Sequence, residues 1–233
     1  MKEDCKGPVC YLCGEFIAAT PDDTGLELSM DHVPPKQFYP KAIRQQKGLN
    51  LELAPSHKKC NEDYRKDEEY FYHSLYPLVA ENNPSMGRII LQDLGRRTHK
   101  PQTPAMIRSI LKNVSGVTQG GILLPPGKIV FSLDELRLQR IAIKIARGVL
   151  ALNDIVYISE SNCFDLRFCE NESEVIELYR TLWKISPVYA VYQKVFSHKY
   201  FYLDNVHYLC LLFWGSFMYC LCFKGNPASQ TIL

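Results

Sequence analysis

The firmest constraint on how this chain can fold is a pair of matched doublets. Cys10 and Cys13 stand two residues apart near the start, and His57 and Cys60 repeat that spacing much later. Two short-spaced pairs of soft or borderline ligands, brought together by the fold, make a four-coordinate zinc site of the Cys3His type. Such a site pins two remote segments to one point, so the chain between them must leave and return. Gly14 directly after Cys13 suits a tight knuckle. Pro55-Ser56 reads as a stop followed by a helix N-cap, which places His57 and Cys60 at the start of a helix. Asn61 then lies four residues after His57, about one helical turn on.

The other cysteines do not form a disulfide framework. There are nine in 233 residues, an odd number in a chain that is not small. The start, MKEDCKGPVC, lacks the apolar core of a secretory signal. Cys163, Cys169, Cys210, Cys220 and Cys222 lie in apolar surroundings, where free cysteine packs as a small hydrophobe. A reducing, cytoplasmic setting is expected. The net charge of +2 excludes a uniformly basic nucleic-acid binder, so any phosphate-binding charge must be local. Tyr208 to Phe223 is strongly apolar but shorter than the roughly 20 residues of a membrane helix. Gly215-Ser216 splits it, which suits a hairpin of two buried strands and no membrane partner.

Between the doublets, Asp31 and His32 stand together before Pro34-Pro35, which supplies a break at a strand end. The apolar run Leu49-Asn50-Leu51-Glu52-Leu53-Ala54 would pair with the strand ending at His32, making a hairpin with a long connection. CxxC, Asp-His-x-Pro-Pro, Asn-Leu, then the second ligand pair followed by Asn: in this order the residues resemble the HNH endonucleases. The stretch Ala54 to Asn61 with Lys66-Asp67-Glu68-Glu69-Tyr70-Phe71 is especially similar. The resemblance is specific over about residues 10–72. It departs at His57, where the family usually has cysteine, and at Asn61, where the name-giving motif has histidine.

The resemblance implies a ββα-metal fold of two strands and a helix around one divalent ion. It implies His32 as general base, Asp31 and Asn61 as ligands of Mg2+ or Mn2+, and Asn50 as the residue that holds the hairpin loop and orients the base. Cys10, Cys13, His57 and Cys60 would hold a structural Zn2+. The implied substrate is double-stranded DNA, cut at its phosphodiesters. Lys36, Lys58, Lys59, Arg65 and Lys66 could neutralise phosphates, joined by Lys41, Arg44 and Lys47 in the connection. Asp67, Glu68 and Glu69 bound that patch. A non-catalytic zinc module that binds nucleic acid or protein is the alternative, as is an effector subunit silent until a partner such as an ATPase recruits it. The pairing of Asp31-His32 with Asn61 discriminates, since a pure binding module needs no base beside oxygen ligands.

The expected architecture is α+β. A zinc-stapled module over residues 1–75 precedes residues 76–233, an accessory region that is helical and then β and that offers a surface for a protein partner. Gly120-Gly121 and Pro125-Pro126-Gly127 separate two helical patterns. In the second, Ser132 with Glu135 reads as a capping box, and Leu136, Ile141, Ile145, Val149 and Leu152 recur at helical spacing. Arg137, Arg140, Lys144 and Arg147 between them read as a solvated face, with a phosphate-facing surface as the alternative. A short helix is expected over Glu174–Lys184. Strands are expected at Val188–Tyr192, Val195–Leu203, Tyr208–Phe213 and Phe217–Phe223, forming a small antiparallel sheet.

Overall fold

A computed structural model of the chain describes residues 7–17, 24–46, 49–99, 102–118, 120–126, 128–169, 177, 181, 189–192 and 195–225. Cys10 and Cys13 lie on a tight knuckle closed by a bridge between Val9 and Phe16. Gly14 N donates to Cys10 O at 2.8 Å, and Cys10 N to Glu15 O at 2.9 Å. Gly14 has φ +82°, and a Cβ there would lie 2.9 Å from the Tyr157 ring. Only glycine meets both demands.

β1 (Leu28–His32) pairs antiparallel with β2 (Leu53–His57), Asp31 opposite Ala54 and His32 opposite Leu53. The hairpin and its long connection are those expected, but the second strand lies further along than Leu49–Ala54. Leu49 and Leu51 instead pack on the core from a loop. Pro55 does not stop the chain: it sits within β2, where its carbonyl accepts from Tyr11 N at 3.1 Å. A proline is tolerated in so short an edge strand because no neighbour needs its missing N–H. Ser56 is therefore not a cap. Its hydroxyl donates to Ser29 O at 3.1 Å, and His57 takes the N-cap position of α2 (Lys58–Glu62).

The connection carries a 3-10 turn (Lys36–Phe38) and α1 (Lys41–Arg44). After α2 come α3 (Arg65–Ser74), α4 (Tyr76–Asn82), α5 (Pro84–Arg97) and α6 (Gln102–Leu111), so the first helical pattern is several helices. Two minimal strands, β3 (Val114–Ser115) and β4 (Val130–Phe131), bracket the Gly/Pro break. α7 (Glu135–Leu152) is capped by Asp134, whose side chain accepts from Arg137 N at 3.3 Å. Ser132 is not the cap, because α7 begins only at Glu135 and Ser132 lies two residues before the cap position, its N–H donating to Asn113 O at 3.2 Å. Leu136 is correspondingly 78% exposed, and the buried face of α7 starts at Leu138 and continues through Ile141, Ala142, Ile145, Ala146 and Val149.

The C-terminal region is an antiparallel sheet of five strands: β5 (Cys163–Cys169), β6 (Tyr189–Tyr192), β7 (Phe196–Leu203), β8 (Val206–Phe213) and β9 (Phe217–Lys224), ordered β5-β9-β8-β7-β6. The apolar Tyr208–Phe223 run is indeed a hairpin. β5 was not expected; its charged Asp165 and Arg167 mask an edge strand. The helix expected at Glu174–Lys184 falls outside the described residues apart from Glu177 and Thr181, both helical. The architecture is mixed helix and sheet, α+β.

One buried cluster runs from Cys10 and Tyr11 through Phe38, Phe71 and α7 to Phe213, Trp214, Phe217 and Tyr219, crossing residue 75 without a gap. Phe38 stacks on Phe71 at 5.1 Å, and Trp214 Nε1 donates to Phe38 O at 3.2 Å. Asn82 and Asn83 tie the turn after β8 by donating to Ser216 O and Trp214 O at 3.0 and 2.9 Å. Among the described residues no helix is long and apolar enough to cross a membrane.

Candidate active site and metal centre

The two doublets meet. Donor atoms of Cys10, Cys13, His57 and Cys60 all lie within 4.8 Å of one another. His57 Nδ1 is 3.3 Å from Cys13 Sγ and 3.8 Å from Cys60 Sγ. Ligands about 2.0–2.3 Å from a tetrahedral zinc ion are separated by about these distances. His57 Nε2 lies 3.3 Å from Phe16 O, and a proton there leaves the Nδ1 lone pair for a metal. Cys10 Sγ accepts from His57 N at 3.3 Å. Burial first, then the neighbouring Cys10 and Cys13 sulfurs, push the Cys60 thiol up to about 12. A dication among these groups reverses that cost, because thiolates are its ligands. The cluster is a possible metal-binding site compatible with zinc.

Directly beyond it, at the junction of β1 and α2, is a pocket of about 270 Å³ lined by Asp31, His32, Pro35, Lys36, Gln37, Asn61, Glu62, Arg65 and Glu68. Asp31 and His32 end β1, and Asn61 is presented by α2 immediately after Cys60. Of the residues expected in the site, the fold thus gathers Asp31, His32, Asn61, Lys36 and Arg65. Asn50 is exposed, precedes β2 and is outside this lining. Lys58 pairs with Glu27 at 2.9 Å, and Lys59 lines a hollow beside the Cys/His cluster. Lys66 is exposed, its carbonyl accepting from Arg137 Nη2 at 3.0 Å.

His32 is half-buried, and burial first, then Lys36 and Arg44, hold its imidazole below the usual histidine range against the opposing pull of Asp31. An imidazole held neutral can accept a proton. Asp31 is buried, and its Oδ2 accepts from Tyr11 Oη at 2.6 Å and from Lys144 Nζ at 2.8 Å. Lys144 Nζ also donates to Asn61 Oδ1 at 3.1 Å and to Glu68 Oε1. Burial works against the Lys144 charge, but Glu68 and Asp31 outweigh it and its pKa is raised. Glu68 is harder to ionise than a solvated glutamate, through burial first and only partly offset by Lys144. Two carboxylates thus share one buried ammonium.

This geometry corrects the reading of the α7 charges as a solvated face. Lys144 and Arg147 are 1% and 3% exposed. Arg147 donates to Tyr11 O at 3.1 Å, Leu12 O at 2.7 Å and Ile158 O at 2.8 Å, clamping the Cys10–Cys13 knuckle to α7. Arg137 and Arg140 both engage Asp67. The acidic run does not merely bound a basic patch: Asp67 takes two arginines, Glu68 takes Lys144, and Glu69 accepts from Thr103 at 3.0 Å. α7 comes this close because Gly148 faces Val33, where a Cβ would meet a methyl carbon at 2.6 Å. Tyr11, Glu68 and Lys144 were not legible as site residues. The only sequence signal for Lys144 was its place three residues after Ile141 and one before Ile145, close to the apolar stripe.

No family model, curated protein or solved structure matches the chain.

Proposed function

We propose that the Asp31–His32–Asn61 pocket is the active site of a metal-dependent endonuclease of the ββα-metal type that hydrolyses DNA phosphodiesters, with a structural zinc ion at Cys10, Cys13, His57 and Cys60. The observation that carries this reading is convergence: a base, a carboxylate and an amide oxygen line one pocket beside a Cys3His cluster. Zinc would fix the position of α2, and with it Asn61, relative to the knuckle that supplies Tyr11.

The donor set suits a hard divalent ion. Tyr11 and Lys144 both hold Asp31 through Oδ2, leaving Oδ1 as its remaining acceptor. Asn61 Oδ1 has a second lone pair beyond the one Lys144 engages. Mg2+ or Mn2+ would be held by Asp31 and Asn61 and, when bound, polarises the scissile phosphate and stabilises the departing 3′ oxygen.

The chain's own residues do the rest. His32 accepts a proton from a water molecule, whose oxygen forms the new bond to phosphorus while the bond to the 3′ oxygen breaks. That oxygen leaves as the 3′ hydroxyl after taking a proton from solvent, and the phosphate stays on the 5′ side. Lys36 and Arg65, on the pocket rim, bind flanking phosphates. Lys144 and Tyr11 are positioning residues: they fix the Asp31 carboxylate and do not face the substrate.

The test is plasmid cleavage by the purified full-length protein with Mg2+ or Mn2+. Cleavage should require the ion, and His32→Ala should lower the rate by about 10² to 10⁴-fold with an unchanged melting temperature. Wild-type rates in His32→Ala would remove His32 from the mechanism. Binding of duplex without cleavage under every ion would leave a zinc-containing binding module.

A further inference from the structure

A second pocket, of about 230 Å³, adjoins the first and is lined by Lys36, Gln37, Arg44, Arg96 and Arg97. Lys36 and Gln37 belong to both linings, so the two hollows lie on either side of the 3-10 turn. Arg44 closes α1, and Arg96 and Arg97 come from the last turn of α5, outside the segment that carries the zinc ligands. Four cationic side chains therefore converge on one hollow from three parts of the sequence.

A single carboxylate moderates them. Asp93 accepts from Arg97 Nε at 2.5 Å, from Arg96 Nη2, and from Lys41 N at 3.1 Å. Arg97 is fixed further by donating to Gln37 O at 2.5 Å and by lying 4.1 Å over the Tyr72 ring. Its role is that of a rigid base. Arg44 is different. Its Nε is buried with no hydrogen-bond partner among the described residues, and Arg96 and Arg97 stand close enough to disfavour its charge, after burial itself. Like charges gathered this way, with an unsatisfied guanidinium donor among them, call for an anion with several acceptor oxygens. Guanidinium forks match the geometry of phosphate.

We propose that the Lys36–Arg44–Arg96–Arg97 pocket binds a phosphate of the nucleic-acid backbone, on the strand whose scissile phosphodiester occupies the neighbouring His32 pocket. The choice of strand rests on the nuclease reading above; the phosphate chemistry does not. Arg44 and Arg96 hold the phosphate oxygens, Arg97 supports them from below, and Lys36 spans the two pockets. The site thereby sets the register of the strand across His32, using α5 as well as the hairpin connection.

The experiment uses the full-length His32→Ala protein, which should bind without turnover, alone and combined with Arg44→Gln or Arg96→Gln. Two probes are titrated: inorganic phosphate, followed by thermal shift, and a fluorescent 20-base-pair duplex, followed by anisotropy over a range of salt. Inorganic phosphate should raise the melting temperature saturably in the parent and not in Arg44→Gln. Arg44→Gln should weaken duplex binding by about tenfold and lower the slope of log K against log salt by about one. Arg96 has a half-exposed side chain, so Arg96→Gln should fold normally and shift both readouts the same way, which keeps the test decisive if Arg44→Gln is unstable. Phosphate protection lost in Arg44→Gln with duplex affinity and salt slope unchanged would assign the pocket to a small phosphate compound and overturn the backbone reading. No phosphate effect and no duplex effect in either variant would overturn the site altogether. Both effects present in a protein that cleaves no plasmid would uphold this site while the nuclease reading fails.

Discussion

The segment around Cys10, Asp31 and His57 and the C-terminal sheet both bury large side chains, but they satisfy them in opposite ways. At the first, the buried groups are thiols, an imidazole, two carboxylates and an ammonium, each held by named polar partners. In the second, Phe196, Phe213, Trp214, Phe217 and Tyr219 meet ring against ring at 5.2–6.3 Å. Contacts of the second kind are non-directional and tolerate exchange for another apolar group of similar volume. Contacts of the first kind fail when one partner goes, because the others remain buried and uncompensated. α7 touches both regions, and its Lys144 and Ile141 illustrate the contrast on one helix.

That contrast can be broken most severely at the Cys/His cluster. Zinc in small structural sites contributes about 10 kcal/mol or more of binding coupled to folding. Chelation, or Cys13→Ser, should therefore unfold the hairpin region, with metal analysis giving one zinc per chain and calorimetry showing a large loss of melting temperature. A melting curve indifferent to chelator would show that the cluster is only packed thiols. Next comes Lys144→Met, similar in volume but uncharged. It should cost about 3–5 kcal/mol by stranding Asp31 and Glu68, part of which Glu68→Gln should restore. The matched swap in the sheet, Phe217→Leu, should cost less than about 1.5 kcal/mol. Equal losses from these two swaps in urea titrations would erase the distinction.

The sheet nevertheless buries titratable groups, among them His198, Lys199 and His207. His198 is buried, and burial lowers its pKa to about 4. The folded pKa lies below the ordinary value of about 6.5, so the unfolded chain takes the proton first. Stability is fully present above pH 6.5 and falls as pH drops from 6.5 to 4, by up to about 3 kcal/mol from this group. His198→Gln should flatten that part of the stability profile, whereas an unchanged slope would place the titration elsewhere. The last is Gly148→Ala, whose Cβ would press on Val33 at 2.6 Å. It should cost about 1–3 kcal/mol and be relieved by Val33→Ala; a neutral effect would mean that α7 is free to shift beside the end of β1.

The sequence was most legible where a residue type has few alternative uses. The doublet spacing announced that Cys10, Cys13, His57 and Cys60 meet at one point, and the Gly215-Ser216 break in the apolar Tyr208–Phe223 run announced the hairpin. Strand register and helix ends were less legible, because local signals at Pro55, Ser56 and Ser132 yielded to tertiary hydrogen bonds with Tyr11, Ser29 and Asn113. Lys144 was misread for a physical reason. A lysine on a helix is ordinarily solvated, and nothing near it in the sequence announces that Asp31 and Glu68 will close over it. Buried charge is decided by contacts between remote segments, so spacing along one helix does not reveal it.

The proposal that Asp31 and Asn61 hold one divalent ion beside His32 is tested most directly with paramagnetic Mn2+ added to zinc-loaded protein carrying labelled histidines. Substoichiometric Mn2+ should broaden the ring signals of His32 before those of His73, His198 and His207, and Asp31→Asn should abolish that selectivity. Broadening that spares His32, or that persists unchanged in Asp31→Asn, would contradict the account.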